Sequence, residues 1–181
     1  MIPILDWSRF GDGTDRDGFV ADLGAACRDT GFFLVTGHGI DTGLIDATFT
    51  AADAFFGLPD VEKAKSDIRV SKTNRGWSAE GTENLDDSKP DQIDRKEAFN
   101  IGLELPSDDP RMSQPFRGAN MWPDTPGFRE TALAYFDAVH KLGIDLHRPI
   151  ALDLGLEEHY FAPFLDAPLA TLRFLRYPAG T

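Results

Sequence analysis

Leu169-Ala-Thr-Leu-Arg-Phe-Leu-Arg-Tyr177 alternates along its whole length. Leu169, Thr171, Arg173, Leu175 and Tyr177 fall on one side of an extended chain, and Ala170, Leu172, Phe174 and Arg176 on the other. Successive side chains of a strand point to opposite faces, so the stretch predicts a strand over 169–177 with two different neighbours. Leu172 and Phe174 suit a face covered by helices. Arg173 and Tyr177 carry polar heads that need a partner if enclosed, and a carboxylate-bearing ligand is one. Phe174 is therefore expected to face helices and Tyr177 a pocket.

Helical patterns lie upstream of this strand. Thr125-Pro126 has the form of a helix start with Pro in the first turn. Phe128, Ala132, Phe136, Val139, Leu142 and Leu146 then make one long apolar stripe, a helix over about 126–148 that Pro149 should kink or end. Near the N-terminus, Ile2-Pro-Ile-Leu5 suits an edge strand. Thr14-Asp-Arg-Asp17 has capping-box spacing, and Phe19, Leu23 and Cys27 follow at helical spacing up to Gly31, a helix of about 15–30. Phe32-Phe-Leu-Val-Thr36 reads as a buried strand into the turn Gly37-His-Gly39. Ile45, Phe49, Ala52 and Phe56 mark a helix over about 41–57. Phe19, Leu23, Phe49, Phe56, Phe136, Val139 and Leu146 are the predicted core, and Cys27 is expected to be a buried thiol.

Residues 69–94 change character and read as a long exposed loop. Lys96-Glu-Ala-Phe-Asn-Ile-Gly102 reads as a strand, and the prolines at 106, 110, 115 and 123 make 103–125 a second loop. The fold class is α+β, with a helical layer against an incomplete sheet. The sequence stops at Pro178-Ala-Gly-Thr181, directly after a partly apolar strand. An unpaired strand edge is an awkward place to stop, so the chain is expected to be incomplete.

Composition narrows the function. The 181 residues are 41% hydrophobic and 27% charged, ordinary for a globular protein. Lys and Arg number 18 against 30 Asp and Glu, a formal net charge of −12. That balance argues against a broad nucleic-acid footprint and against an anionic membrane surface. No apolar run reaches the ~18 residues of a membrane span, and no signal-type segment opens the chain, so the cytoplasm is the expected compartment. With Cys27 alone, no disulfide can form within the chain.

The residues offer little independent chemistry. A two-His-one-carboxylate iron site commonly reads His-x-Asp on a strand with a distant second His, and none of His38, His140, His147 and His159 is followed two residues later by Asp or Glu. His38 is expected to be a turn residue. His140 and His147 lie two helical turns apart, about 10 Å along the axis, too far for one ion without other elements. Those two read as surface or packing residues, and His159, beside Tyr160 and Phe161, as a packing residue. The acidic run of Asp86, Asp87, Asp91 and Asp94 lacks EF-hand spacing and reads as a solvated loop. Catalytic residues and metal ligands are assigned to none of these positions.

Several segments, in order, resemble one family: Ile2-Pro-Ile-Leu-Asp6, Gly31-Phe-Phe-Leu-Val-Thr-Gly-His-Gly-Ile40, Asn74-Arg-Gly-Trp77, Lys96-Glu-Ala-Phe-Asn-Ile-Gly102, Asn120-Met-Trp-Pro123 and Arg173-Phe-Leu-Arg-Tyr-Pro178. They resemble the N-terminal half of the isopenicillin N synthase-like iron(II)- and 2-oxoglutarate-dependent oxygenases. The resemblance implies a jelly roll, or double-stranded β-helix, with helices packed on one sheet. About 1–120 would be the N-terminal region, and about 121–181 the long helix with the first jelly-roll strand. It implies iron(II), dioxygen and 2-oxoglutarate acting on a small-molecule substrate. The family's His-x-Asp motif, distal His and Arg-x-Ser clamp have no counterpart here. The iron ligands are expected after Thr181, the missing C-terminal half is the expected partner, and residues 1–181 alone are expected to be inactive.

What carries over is part of a pocket wall. Tyr177 matches the position whose Tyr contacts a substrate or cosubstrate carboxylate. Leu175 stands where some relatives have a polar residue. Asn74, Arg75 and Trp77 match a segment that often lines the substrate mouth, and Asn100 lies on the Lys-Glu-x-Phe strand. Two other readings stay open: a truncated, non-catalytic family member acting through another chain, and an acidic α/β binding module.

Overall fold

The computed structural model describes residues 1–82 and 95–178. The acidic run at 86–94 lies outside the described residues. In chain order the elements are β1 (Ile4–Asp6), α1 (Ser8–Gly11), α2 (Arg16–Asp29), β2 (Leu34–Thr36), α3 (Thr42–Phe56), α4 (Asp60–Lys63), β3 (Gly76–Ser78), β4 (Glu97–Gly102), α5 (Phe128–Asp153) and β5 (Thr171–Arg176), with four short 3-10 turns between them. The chain splits into two compact units: Met1–Thr42 with Asp137–Pro168, and Gly43–Phe136 with Leu169–Thr181. No described helix is long and apolar enough to cross a membrane.

In the first unit, β1 and β2 pair in parallel, with Leu5 opposite Val35. Leu5, Phe10, Phe19, Leu23 and Ala26 form its core, and Leu146, Ile150 and Leu152 of α5 pack on it. Trp7, Phe10 and Phe19 stack within 5.3–5.8 Å of one another. The cap of α2 is Asp15 rather than Thr14: the Gly18 amide donates to the Asp15 carboxylate at 3.2 Å. Gly31 ends the helix at a φ of 75°, where a Cβ would be strained, and its amide donates to the Ala26 carbonyl.

Several expectations fail in this unit. The 32–36 stretch is not a buried strand: Phe32 is 71% and Leu34 54% exposed. Cys27 is exposed, because the buried stripe of α2 steps from Leu23 to Ala26 and leaves position 27 on the outer side. Pro149 neither ends nor breaks α5, which runs on to Asp153. The ring removes one hydrogen bond from the ladder, but Pro149 and Ala151 are fully buried and Ile150 and Leu152 pack on the core, so tertiary packing outweighs the lost rung. Val139, also expected in the core, is exposed, and Leu146 is half-buried.

In the second unit, β3, β4 and β5 form an antiparallel sheet with β4 in the middle. β3 lies within the 69–94 stretch that the sequence predicts as loop, and its three residues are too few to show alternation. Phe99 pairs across to Trp77 on one side and to Phe174 on the other. These rings, with Ile101 and Leu172, meet Phe55 and Phe56 of α3 and Phe128, Ala132 and Phe136 of α5 in one core. Phe55 and Phe99 lie 4.8 Å apart, and Phe128 and Phe174 5.7 Å apart. Phe174 thus faces the helices as its parity predicts. Phe49 does not join them. The buried side of α3 runs through Thr48, Ala52, Phe55 and Phe56, and Phe49 is 70% exposed.

Candidate functional site

Strand alternation gives the second unit's sheet a second face. With Phe99 and Ile101 on the helices, Ala98, Asn100 and Gly102 of β4 point the other way. The register sets Asn100 between Gly76 and Arg173, and Ala98 between Ser78 and Leu175. This face is small and polar in the middle: Ser78 is 3% and Asn100 2% exposed.

Asn100 is the distinctive group on it. Its Nδ2 donates to the Asn74 carbonyl at 3.4 Å, which orients the amide. The Oδ1 oxygen is buried and has no hydrogen-bond partner among the described residues. A buried, unsatisfied acceptor costs about 1–3 kcal/mol, so the site favours any group that brings an N–H or O–H to it. Asn74 itself sits at φ 58°, a left-handed conformation that Asn tolerates better than most residues, and it is exposed.

Arg75 is buried one residue on. Its Nη1 donates to the Gly118 carbonyl and to Asn120 Oδ1. Asn120 also grips the Gly102 peptide, accepting from its amide at 2.9 Å and donating to its carbonyl at 3.0 Å. This tie joins the 72–75 segment, the end of β4 and the loop at 118–120. Burial, and then the charge of Arg117, push the Arg75 pKa down, while Glu104 opposes them.

Trp77 points the other way. It lies in the aromatic core, and its Nε1 donates to Glu97 Oε2 at 2.9 Å. Tyr177 follows the last residue of β5 and is 69% exposed. The structure therefore joins Asn74, Arg75 and Asn100 around one loop, sets Trp77 on the opposite sheet face, and leaves Tyr177 open at the strand end.

Sequence reasoning missed a charged cluster on the helix-covered face. Glu97 accepts from Lys63 Nζ at 2.5 Å, from Trp77 and, at 3.4 Å, from Arg176 Nη1. Lys63 is 4% exposed, pairs also with Asp60 at 3.0 Å, and lies 5.0 Å from the centre of the Trp77 ring. Asp60, Lys63, Trp77, Ala79, Glu80 and Glu97 line a cavity of about 320 Å³. The signal for Glu97 was available: it shares strand parity with Phe99 and Ile101, so it had to be a buried carboxylate. Nothing in the sequence pointed to Lys63.

The four histidines all fall in the first unit, and His159, expected to pack, is exposed. His38 Nδ1 accepts from the Ile40 amide at 3.1 Å, which fits a turn role, and His147 Nδ1 lies 2.7 Å from the Gly143 carbonyl. Among the described residues, no three of His, Cys, Asp and Glu come together in a way that could hold a metal ion.

A family model described as non-haem dioxygenase in morphine synthesis N-terminal matches residues 2–125. The 2-oxoglutarate-Fe(II) type oxidoreductase hxnY of Emericella nidulans is 35% identical over 188 residues, covering 98% of this chain and 52% of that protein. A 2OG-Fe(II) oxygenase family protein from Caulobacter crescentus superposes with a TM-score of 0.86 at 28% identity, over 98% of this chain and 56% of that one. A Neurospora crassa protein solved with alpha-KG and thymine gives a TM-score of 0.79 at 30% identity, over 98% of this chain and 55% of that one. The chain spans about half the length of the curated relatives it matches.

Proposed function

The chain belongs to the iron(II)- and 2-oxoglutarate-dependent oxygenase family, matched through its N-terminal domain type, and from that membership we propose that it is the N-terminal part of a dioxygenase acting on a small molecule. The observation that carries the proposal is the similarity across 98% of the chain to a 2-oxoglutarate-Fe(II) oxidoreductase. The Neurospora protein holds alpha-KG and thymine, which supports 2-oxoglutarate as cosubstrate and a small organic molecule as substrate. In this proposal β5 is the first strand of a jelly roll, and the face carrying Asn100 turns toward its interior.

The family implies two groups, iron(II) and 2-oxoglutarate. Iron does not fit: the described residues offer no three-ligand set, and we place its ligands in the part of the relatives' length that this chain does not span. For 2-oxoglutarate, Tyr177 is the fitting residue, with an exposed phenol free to donate to a carboxylate. Asn74, Arg75 and Asn100 line the substrate side, and Asn100 Oδ1 accepts a hydrogen bond from the substrate or from a water beside it. Trp77 supports this wall from behind.

The test is made on the full-length protein. Iron(II), dioxygen and 2-oxoglutarate together should yield succinate, and omission of any one should abolish it. Tyr177→Phe should weaken 2-oxoglutarate or substrate binding about ten- to a hundredfold, the worth of one hydrogen bond to a charged group. A full-length protein that neither binds 2-oxoglutarate in calorimetry nor forms succinate would instead be a binding module.

A further inference from the structure

We propose that Glu97 is a positioning residue that anchors the end of β5, and through it Tyr177. The Glu97 carboxylate is buried and takes donors from three elements: Lys63 of α4 at 2.5 Å, Trp77 of β3 at 2.9 Å and Arg176 of β5 at 3.4 Å. Arg176 is held a second time, because its Nη1 also donates to the carbonyl of Phe56 at the end of α3. Glu97 and Arg176 are direct cross-strand partners in the register. The last rung of the β4–β5 ladder is thus clamped by charge on the helix-covered face.

Tyr177 is the next residue, and no ladder pair holds it. Its phenol is exposed, so its own contacts do not fix its direction. What fixes the peptide leading into it is the Arg176 anchor. Strand parity sends Arg176 and Tyr177 to opposite faces, so a group buried on the helix side can set the aim of a ring on the other side without touching a ligand. The cluster is costly to build. A buried lysine and carboxylate must lose their hydration, and such pairs are frequently no more stable than an apolar replacement. Stability alone is a weak reason for charges at this position, whereas orientation of a strand end is a specific one.

This inference rests on the reading of Tyr177 given above, and two separate readouts keep the two apart. In the full-length protein, Glu97→Gln and, as the milder variant at a half-exposed side chain, Arg176→Gln should speed amide hydrogen exchange at residues 175–177 about tenfold or more, with less change at the far end of the ladder, in the C-terminal half of β4. Both should weaken 2-oxoglutarate binding about fivefold or more, since small misplacements of a binding group are expensive. In a Tyr177→Phe background, the same substitutions should add little further loss, because they act through the lost hydroxyl. Unchanged exchange at 175–177 in Arg176→Gln overturns the anchor. Faster exchange with unchanged 2-oxoglutarate affinity, or a loss that adds fully to that of Tyr177→Phe, overturns the positioning role. If Tyr177→Phe alone leaves 2-oxoglutarate binding intact, the assignment of Tyr177 falls, and exchange at 175–177 still decides the anchor by itself.

Discussion

Asp109 shows how one neighbour can set a carboxylate's behaviour. It caps the 3-10 turn Pro110–Ser113, accepting from the Arg111 amide at 2.9 Å, and it takes Arg111 Nε at 2.9 Å and Nη2 at 2.7 Å. The Arg111 side-chain hydrogen bonds, and then the amide, hold its pKa at about 2 against an ordinary 3.8. A depressed folded-state pKa contributes stability above the unfolded value and loses it as pH falls through the folded one. The cap should therefore be intact at pH 4 and above and be lost as the pH falls from there through about 2. A carboxyl-carbon titration should place Asp109 near that lower value, and Arg111→Gln should return it toward 3.8. A midpoint near 3.8 in the unsubstituted protein would show that Arg111 does not hold the carboxylate in solution. The same logic, a buried acceptor and its donors, separates Glu97 from Asn100: one is fully met by Lys63, Trp77 and Arg176, and the other keeps an open oxygen.

At the scale of elements, the first unit depends on a close approach. A Cβ on Gly24 of α2 would lie 1.8 Å from Asp153 Oδ1 at the end of α5, and Arg28 holds that carboxylate at 2.7 Å. Gly24→Ala brings a helix-propensity gain of up to about 1 kcal/mol, but overpacking costs about 1–3 kcal/mol, and the clash wins. Thermal unfolding should show a net loss of up to about 2 kcal/mol. In an Asp153→Ala background the sign should reverse, because the clashing atoms are gone and the exposed Arg28 pair was worth at most about 1 kcal/mol. A loss of the same size in both backgrounds would mean that Asp153 is not the obstacle.

Legibility followed length and redundancy. β4, β5, α2, α3 and α5 were readable because each repeats its period several times. What failed were single turns of phase. A one-residue drift at the end of α2 exposed Cys27, and a rotated stripe on α3 exposed Phe49. Pro149 misled because a local rule was applied where burial decides. In the candidate site, the strand that carries Asn100 and the strand that ends just before Tyr177 were legible, and the roles of the two residues are proposals. Lys63 was hidden, because its partner Glu97 is distant in sequence and only the folded register joins them.

For the molecule as a whole, the iron ligands are the decisive question, and they bear on residues 1–181 produced alone. A facial iron site needs two imidazoles and a carboxylate converging with open positions. All four imidazoles lie in the first unit, where His38 is engaged by the Ile40 amide and His147 sits against the Gly143 carbonyl. No described set of three ligands converges. The net charge of −12 attracts any divalent cation weakly and without geometry. That attraction falls with ionic strength, since the screening length is about 8 Å at physiological salt. Anaerobic titration of residues 1–181 with iron(II) should therefore give only weak binding that fades as salt is raised, and 2-oxoglutarate should not tighten it. The full-length protein, by contrast, should hold one iron per chain, more tightly in the presence of 2-oxoglutarate. A stoichiometric, salt-resistant iron site on residues 1–181 would place the ligands within this stretch and overturn the division of labour proposed for it.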